Sequence, residues 1–341
     1  MFIRSKAPLR LGLAGGGTDV SPYSDIYGGA ILNATINMYS YTTIQPMDNG
    51  KIIMEEMDLG RKTEMPSSDA LEINGEFSLI KGVYNRIVRD FVKKPLSFHI
   101  STYVDAPPGS GLGTSSTLTV SILGAFCEWL KLPLGDYDIA HLAFQIERQD
   151  LGMSGGKQDQ YAATFGGFNF MEFYADDKVI VNPLRIRQHY ISEMDWNFVL
   201  YYTGISRVSS NIIQEQQKNV QEKKEGSVAA MHKVKEQALL MKEAILKGNF
   251  GEIGKILDFG WQYKKQMAKQ ISNSIIDEIY EKAIAAGSTG GKLSGAGGGG
   301  FMTFYCPGNS RFAVIQTLKQ YPGQVHSFEF VKHGLMTWQQ S

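Results

Sequence analysis

The sequence predicts a protein of two domains built from mixed helices and strands, and three observations carry the prediction. The chain of 341 residues is longer than one compact core usually organises, and the length suggests about two domains. Segments alternating apolar and polar residues, the period of a strand, are interspersed with segments at helical spacing. The composition also shifts between Asn182 and Asp195, from apolar strands and glycine-rich loops to a polar, charged helical stretch. We place the division there, giving domains of residues 1–190 and 191–341.

Each element follows from its local pattern. Phe2 to Leu13 reads as a strand running into Gly15-Gly16-Gly17. Ala30 to Gln45 alternates and is rich in Tyr, Thr and Ile, which favours a strand, and Lys51 to Met57 is another. Phe77 to Phe91 sets Leu79, Val83, Ile87 and Phe91 on one helical face, and Leu96 to Tyr103 alternates again. The prolines and glycines of Asp105 to Gly113 exclude regular structure. The hydroxyls of Thr114, Ser115 and Ser116 then suit the start of an apolar helix reaching Leu130. Helices are expected over Leu134 to Leu151 and Ser154 to Thr164, then a hairpin of Phe165 to Phe173 and Lys178 to Val181. Arg207 to Gly248 is charged, yet Val228, Met231, Val234 and Leu239 keep an apolar face, so a solvated helical pair is expected rather than disorder. Phe250 to Gln270, Ser274 to Ala286 and Phe312 to Gln320 read as helices, and Thr289 to Leu293, Gly300 to Tyr305 and Gln324 to Glu329 as strands.

Charge and cysteine usage exclude several classes. Lys plus Arg and Asp plus Glu both number 34, so no excess points to nucleic acid or an anionic membrane as partner. No apolar run reaches the ~18 residues a span needs, and Met1 to Arg10 carries charges without an apolar signal core. A cytoplasmic protein is expected. Cys127 and Cys306 lie far apart in apolar runs, which fits buried thiols rather than a metal or redox motif.

The chain's 37 glycines are well above the usual ~7% and are clustered, so loops with demanding backbone geometry are built into it. Pro107-Pro-Gly-Ser-Gly-Leu-Gly-Thr-Ser-Ser116 leads straight into a helix. Its glycines let N–H groups converge, the helix N-terminus adds unpaired N–H groups, and the hydroxyls can reach a phosphate oxygen or a Mg²⁺ ion. A tight turn with a well-capped helix would need fewer of these features. Lys292-Leu-Ser-Gly-Ala-Gly-Gly-Gly-Gly300 is neither a Walker A loop nor a dinucleotide fingerprint, and a glycine hinge is its plainer reading. Ala7 to Asp19 carries Arg10 on a strand and presents Thr18 and Asp19 after three glycines, where Asp19 also suits a turn former. In Glu147-Arg-Gln-Asp-Leu-Gly-Met-Ser-Gly-Gly-Lys-Gln-Asp159, Glu147 and Asp159 could divide metal binding and proton acceptance. Taken singly, each reads more readily as a surface charge.

These four segments, in this order, resemble the galactokinase, homoserine kinase, mevalonate kinase and phosphomevalonate kinase (GHMP) superfamily, over most of the chain from Ala7 to Phe301. The resemblance implies two α+β domains with the active site in the cleft between them, and ATP-dependent phosphorylation of a small molecule. It gives Pro108, Gly109, Ser110, Gly111, Leu112, Gly113, Thr114, Ser115 and Ser116 to the ATP phosphates. Ser115 and Glu147 match its Mg²⁺ ligands, Asp159 its catalytic aspartate, and Arg10 a basic residue near the transferring phosphoryl. Gly17, Thr18, Asp19, Gly156, Gly295 and Gly297 fall to the substrate. Gly-Gly-Gly-Thr-Asp at 15–19 departs from galactokinase, which has a Glu-His pair before Thr-Asp. It is similar to kinases of D-glycero-D-manno-heptose 7-phosphate, which phosphorylate the anomeric hydroxyl on the way to nucleotide-activated heptose. It is also similar to the fucokinase branch, whose sugar carries no phosphate.

A substrate phosphate would need cationic partners. Lys157, Arg148 and Arg207 are the candidates, although Arg207 also suits a solvated helix charge. A catalytically inactive sugar sensor on the same fold should have lost its carboxylates or glycines, and Ser115, Glu147 and Asp159 are all present. A nucleotide-dependent oxidoreductase lacks the strand–GxGxxG–helix context. The expected partner is a sugar or sugar phosphate, with a homodimer left open.

Overall fold

The computed structural model describes residues 1–205 and 209–340. The chain opens with β1 (Phe2–Ala14), the short α1 (Tyr23–Tyr27) and the long β2 (Gly29–Pro46). A hairpin of β3 (Lys51–Glu56) and β4 (Arg61–Pro66) follows. The sequence of β4, Arg-Lys-Thr-Glu-Met-Pro, hides it from pattern reading because an edge strand with solvent on both sides needs no apolar alternation. Next come α2 (Ser78–Ile87), which runs into a π-helical turn at 88–92, then β5 (Phe98–Val104) and α3 (Thr114–Leu130). The helix expected to Leu151 is α4 (Asp136–Gln145) with a second π turn at 146–150, and the next, α5 (Gln158–Phe165), begins after a loop. The hairpin is β6 (Phe168–Phe173) and β7 (Val179–Pro183).

Then come α6 (Gln188–Asn197), β8 (Phe198–Tyr202), α7 (Ser209–Gln221), α8 (Glu225–Lys247), α9 (Phe250–Lys264) and α10 (Ser274–Ala285). The chain closes with β9 (Gly290–Leu293), β10 (Phe301–Tyr305), α11 (Ser310–Leu318), β11 (Gln324–His326) and β12 (Met336–Gln340).

Among the described residues the strands form two sheets. The larger has eight strands in the order β12-β1-β2-β5-β3-β4, with β6 and β7 branching from β2. This is possible because β2 is 18 residues long: its first part pairs with β6 and its last part with β5. The smaller sheet has the order β11-β8-β10-β9. The division expected at residue 190 falls inside α6, and β12 returns to the larger sheet to pair with β1. One apolar cluster also joins the layers: Leu9, Leu11, Leu32 and Phe168 of the larger sheet share it with Met194, Phe198, Met241, Leu257 and Phe301. The two halves are therefore packed as one body along this seam. Among the described residues no helix is long and apolar enough to cross a membrane.

Under the larger sheet, α2, α3 and α4 close a second core around Phe98. Phe98 is fully buried and packs edge-on against Phe126 at 5.3 Å, with Tyr84 at 5.7 Å and Trp129 at 5.8 Å. Phe98→Ala would leave a cavity that rigid aromatic neighbours cannot fill. We expect a loss of about 3–5 kcal/mol, read as a lower midpoint in urea unfolding. A midpoint unchanged from wild type would show that this core collapses around the gap.

Candidate active site

The segment between β5 and α3 needs its glycines twice over. Gly109, Gly111 and Gly113 have φ of 73°, 84° and 79°, the left-handed region. Their lack of a side chain also admits neighbours. A Cβ on Gly111 would run into the Ser294 carbonyl, and one on Gly295 would come within 2.7 Å of the Gly111 Cα. The Phe301 N–H donates to the Ser110 carbonyl at 2.9 Å, and Gly300 is pressed against the same carbonyl. The second glycine segment is thus the backing of the first. At the start of α3 no side chain caps the helix, so its first N–H groups face a cavity of about 710 Å³.

Arg10 and Asp159 meet on the wall of that cavity. The Arg10 Nε and Nη2 both lie 2.7 Å from the Asp159 Oδ1, and Nη1 donates to the Gly111 carbonyl at 2.5 Å. Arg10 is only 3% exposed, so one guanidinium holds both the carboxylate and the glycine loop in place. A Cβ at Gly113 would stand 3.2 Å from the Asp159 Cγ, so this glycine also clears room for the carboxylate. Asp159 lies in the first turn of α5.

Asp19 lines the same cavity. Its Oδ2 accepts from the N–H groups of Lys157 at 2.9 Å and Gln158 at 3.0 Å, so it caps α5 from a turn far away in sequence. Gly156 has no space for a side chain because the Asp19 carboxylate fills it. Burial pushes the Asp19 pKa up; the Gln158 N–H opposes this, Asp159 adds to it and Arg10 offsets it.

Other expected site residues stand elsewhere. Thr18 is fully buried and its hydroxyl donates to the Gly15 and Ala30 carbonyls at 2.8 and 3.0 Å, bracing the turn that presents Asp19. Leu112 is in the core and Ser110 is fully buried behind the loop. Gly297 packs on Ile271 rather than on the cavity. Lys157 is not on the cavity wall: its ammonium turns to Asp177 at 2.8 Å and Asp25 at 3.6 Å, because a buried cation without a carboxylate is costly. Arg207 lies outside the described residues. Pro108, Gly109, Thr114, Ser115, Gly17, Gly156 and Gly295 do line the cavity.

Glu147 sits one layer behind. It is fully buried in the π turn after α4 and accepts from the Ser116 Oγ at 2.7 Å, the Thr119 Oγ1 at 2.9 Å and the Gln160 amide. Of the two serines at the start of α3, it is therefore Ser116, not Ser115, that Glu147 holds. Ser116 reaches the cavity, and Ser115 is exposed on it.

The tertiary structure adds wall residues that motif reading did not assign: Gln158, Gln214, Gln216, Ser210 and Lys264. Lys264 had a signal in the sequence. It follows Ile253, Leu257 and Trp261 on the buried stripe of α9, where a charge needs a reason. The thiols take no part: burial pushes Cys127 and Cys306 each up to about 12.

Comparison with known proteins follows the same lines. Residues 78–167 match the GHMP kinases N terminal domain and residues 241–321 match GHMP kinases C terminal. A curated relative, D-glycero-alpha-D-manno-heptose 7-phosphate kinase of Campylobacter jejuni, is 49% identical over 336 residues, covering 98% of each chain. The L-fucokinase/L-fucose-1-P guanylyltransferase of Bacteroides fragilis is 27% identical over 88% of this chain, which spans only 34% of that protein. A crystal structure of a D-glycero-D-manno-heptose 1-phosphate kinase from Bacteroides thetaiotaomicron superposes with a TM-score of 0.84 at 49% identity, covering 99% of each chain.

The close approach of the two glycine segments is testable. Gly111→Ala places a Cβ in a left-handed position and against the Ser294 carbonyl. We expect at least ~1 kcal/mol of lost stability from the backbone alone. Isothermal calorimetry should show ADP affinity reduced more than tenfold. Wild-type affinity would mean that the loop can move without losing its phosphate-binding form.

Proposed function

This chain belongs to the GHMP kinases and is an ATP-dependent phosphotransferase, and we propose that it phosphorylates the anomeric hydroxyl of D-glycero-D-manno-heptose 7-phosphate to the 1,7-bisphosphate. The observation that carries the reading is the convergence in one cavity of an uncapped helix N-terminus, the Arg10–Asp159 pair and Asp19. The glycine loop and the first turn of α3 hold the ATP phosphates through N–H groups, as helix N-termini hold anions. Asp19 and Asp159 then face the acceptor. Gln158, also on the wall, has a buried Oε1 without a donor among the described residues, a natural seat for a sugar hydroxyl.

Phosphoryl transfer needs positioning and charge neutralisation more than covalent chemistry. The acceptor oxygen bonds to the γ-phosphorus as the bond from phosphorus to the β,γ-bridging oxygen breaks, and ADP leaves with that electron pair. Asp159 takes the hydroxyl proton through Oδ2, while Oδ1 stays with Arg10. Arg10 keeps this carboxylate aimed and presents positive charge to the γ-phosphoryl.

A Mg²⁺ ion fits the donor set. Hydroxyls of Ser115 and Ser116 and the carboxylate of Glu147 supply hard oxygen atoms beside the loop, and a hard cation takes its other ligands from phosphates and water. When bound, it neutralises phosphate charge. The short link between Ser116 and Glu147 makes them the pair we assign to it.

The 49% identity to a kinase named for heptose 7-phosphate supports the acceptor, while a solved structure at the same identity is named for heptose 1-phosphate. The two names differ in which phosphate the sugar already carries. A 7-phosphate calls for a further cationic partner. Arg148, on the described wall and held by the Gly156 carbonyl and Glu147, is the one we assign to it, and Ser210 and Gln214 line the same cavity.

Asp159→Asn keeps the shape and loses the proton acceptor. It should lower kcat by roughly 10²–10⁴-fold with ADP affinity little changed. Near-wild-type kcat would remove Asp159 from this role.

The acceptor is tested by measuring ATP consumption with heptose 7-phosphate, heptose 1-phosphate, free heptose and fucose. We expect kcat/KM roughly 10³-fold higher for the 7-phosphate than for the free sugars, because only the phosphate makes charge-assisted hydrogen bonds with Arg148. Equal turnover of free fucose would favour a fucokinase-like activity instead.

A further inference from the structure

We propose that Lys264 is a second catalytic cation, whose ammonium contacts the phosphoryl group in flight from ATP to the acceptor. The inference rests on the kinase reading but not on the identity of the sugar.

The argument begins with the cost of burial. Lys264 is 4% exposed, and a buried ammonium is normally matched by a carboxylate. Three of the other buried cations follow that rule: Arg10 has Asp159, Arg86 has Asp150 and Lys157 has Asp177, while Lys81 rests on the Asn74 side chain and carbonyl. Among the described residues Lys264 has no carboxylate within ion-pair distance; its Nζ donates to the Gly295 carbonyl at 2.5 Å. Lys292 is likewise without a carboxylate and donates to the Gly12 carbonyl at 2.6 Å, but it is not on the cavity wall. Lys264 is on the wall. An unpaired cation on a cavity wall is what an anionic ligand would complete.

Its position says which part of the ligand. Gly295, which Lys264 holds, is the residue pressed on Gly111 of the glycine loop. A Cβ on Gly16 would stand 3.5 Å from the Lys264 Nζ, so the ammonium lies against the 15–17 turn. The ammonium therefore lies between the loop that holds the nucleotide phosphates and the turn that presents Asp19 to the acceptor. The transferred group crosses that gap. Lys264 donates hydrogen bonds there and keeps its proton; bond making, bond breaking and the hydroxyl proton follow the course described above.

The surroundings tune this cation. Arg10 of β1, Lys292 of β9, Asp19 of the 15–19 turn and Asp159 of α5 are the charged groups around it. Burial, then repulsion from Arg10, bring its pKa down to about 8, while Asp19 opposes the shift. In the free enzyme the cation is present below this value and lost above it, so kcat/KM should fall as pH rises through about 8. An incoming phosphoryl anion favours the protonated form, so kcat should hold to higher pH.

The experiment measures kcat/KM against pH for wild type, Lys264→Met and Lys264→Arg with ATP, Mg²⁺ and heptose 7-phosphate, or whichever sugar the wild type phosphorylates. ADP affinity by calorimetry reports whether the nucleotide site is intact. We expect the Met variant to lose about 10²–10³-fold in kcat at neutral pH, to bind ADP as wild type does, and to lack the alkaline limb. The Arg variant should recover at least tenfold of that loss and also lack the limb. A Met variant with kcat within threefold of wild type, or one that keeps the limb, overturns the assignment of Lys264 while leaving the kinase reading intact. A wild type that phosphorylates no sugar removes the kinase reading itself, and the proposal with it.

Discussion

Backbone lies directly on backbone where the glycine loop before α3 touches the glycine segment after β9. Gly111 rests on Ser294, Gly295 on Gly111 and Gly300 on Ser110, at distances that no Cβ could share. This contact joins the larger sheet, through α3, to the smaller sheet, through β9 and β10. It also sets the aim of the loop's N–H groups, because a loop backed by rigid strands cannot sag away from its ligand. Arg10 extends the same constraint: one arm holds the Gly111 carbonyl and the others hold Asp159. The carboxylate and the loop to which we assign proton acceptance and phosphate binding are thus placed by one side chain.

The site is economical with its polar groups. Asp19 satisfies the start of α5 with one oxygen and shows the cavity the rest of its carboxyl group. Glu147 secures Ser116, Thr119 and Gln160 while lying within reach of a cation held at Ser116. Burial makes each of these bonds necessary, since an unmatched carboxylate in such surroundings would be destabilising. The same burial keeps local charges effective: Arg10, Arg148 and Lys264 on the cavity wall outnumber its two aspartates, Asp19 and Asp159, and a polyphosphate is the ligand that such an excess suits.

Much of the architecture was legible in the chain. The strand at Phe2–Ala14, the helix at Thr114–Leu130 and the β6–β7 hairpin stand within a few residues of where alternation, hydroxyls and glycines place them. The edge strands β4 and β12 were not legible, because a strand exposed on both faces carries no apolar pattern. Helix α6 lies across the segment read as a division, and its amphipathic burial was not legible from the change in composition there. Among site residues, Arg10, Asp159 and the glycine loop come together as their chemistry suggests. Thr18 and Lys157 carry suitable groups but spend them on the Gly15 and Ala30 carbonyls and on Asp177 and Asp25.

By itself the sequence determined which loops must bend where only glycine bends easily, which helix starts beside hydroxyls, and which carboxylates stand near both. Those are local properties, set by dihedral preference and side-chain chemistry within a few neighbours. Only the tertiary structure decided which of the groups face the cavity. Asp19 meets the backbone of Lys157 across 138 positions, and Lys264 reaches Gly295 across 31. The competition that turns one cation into a structural pair and leaves another facing the ligand is settled by packing, because burial sets the cost of every unmatched charge, and burial is a property of the whole fold.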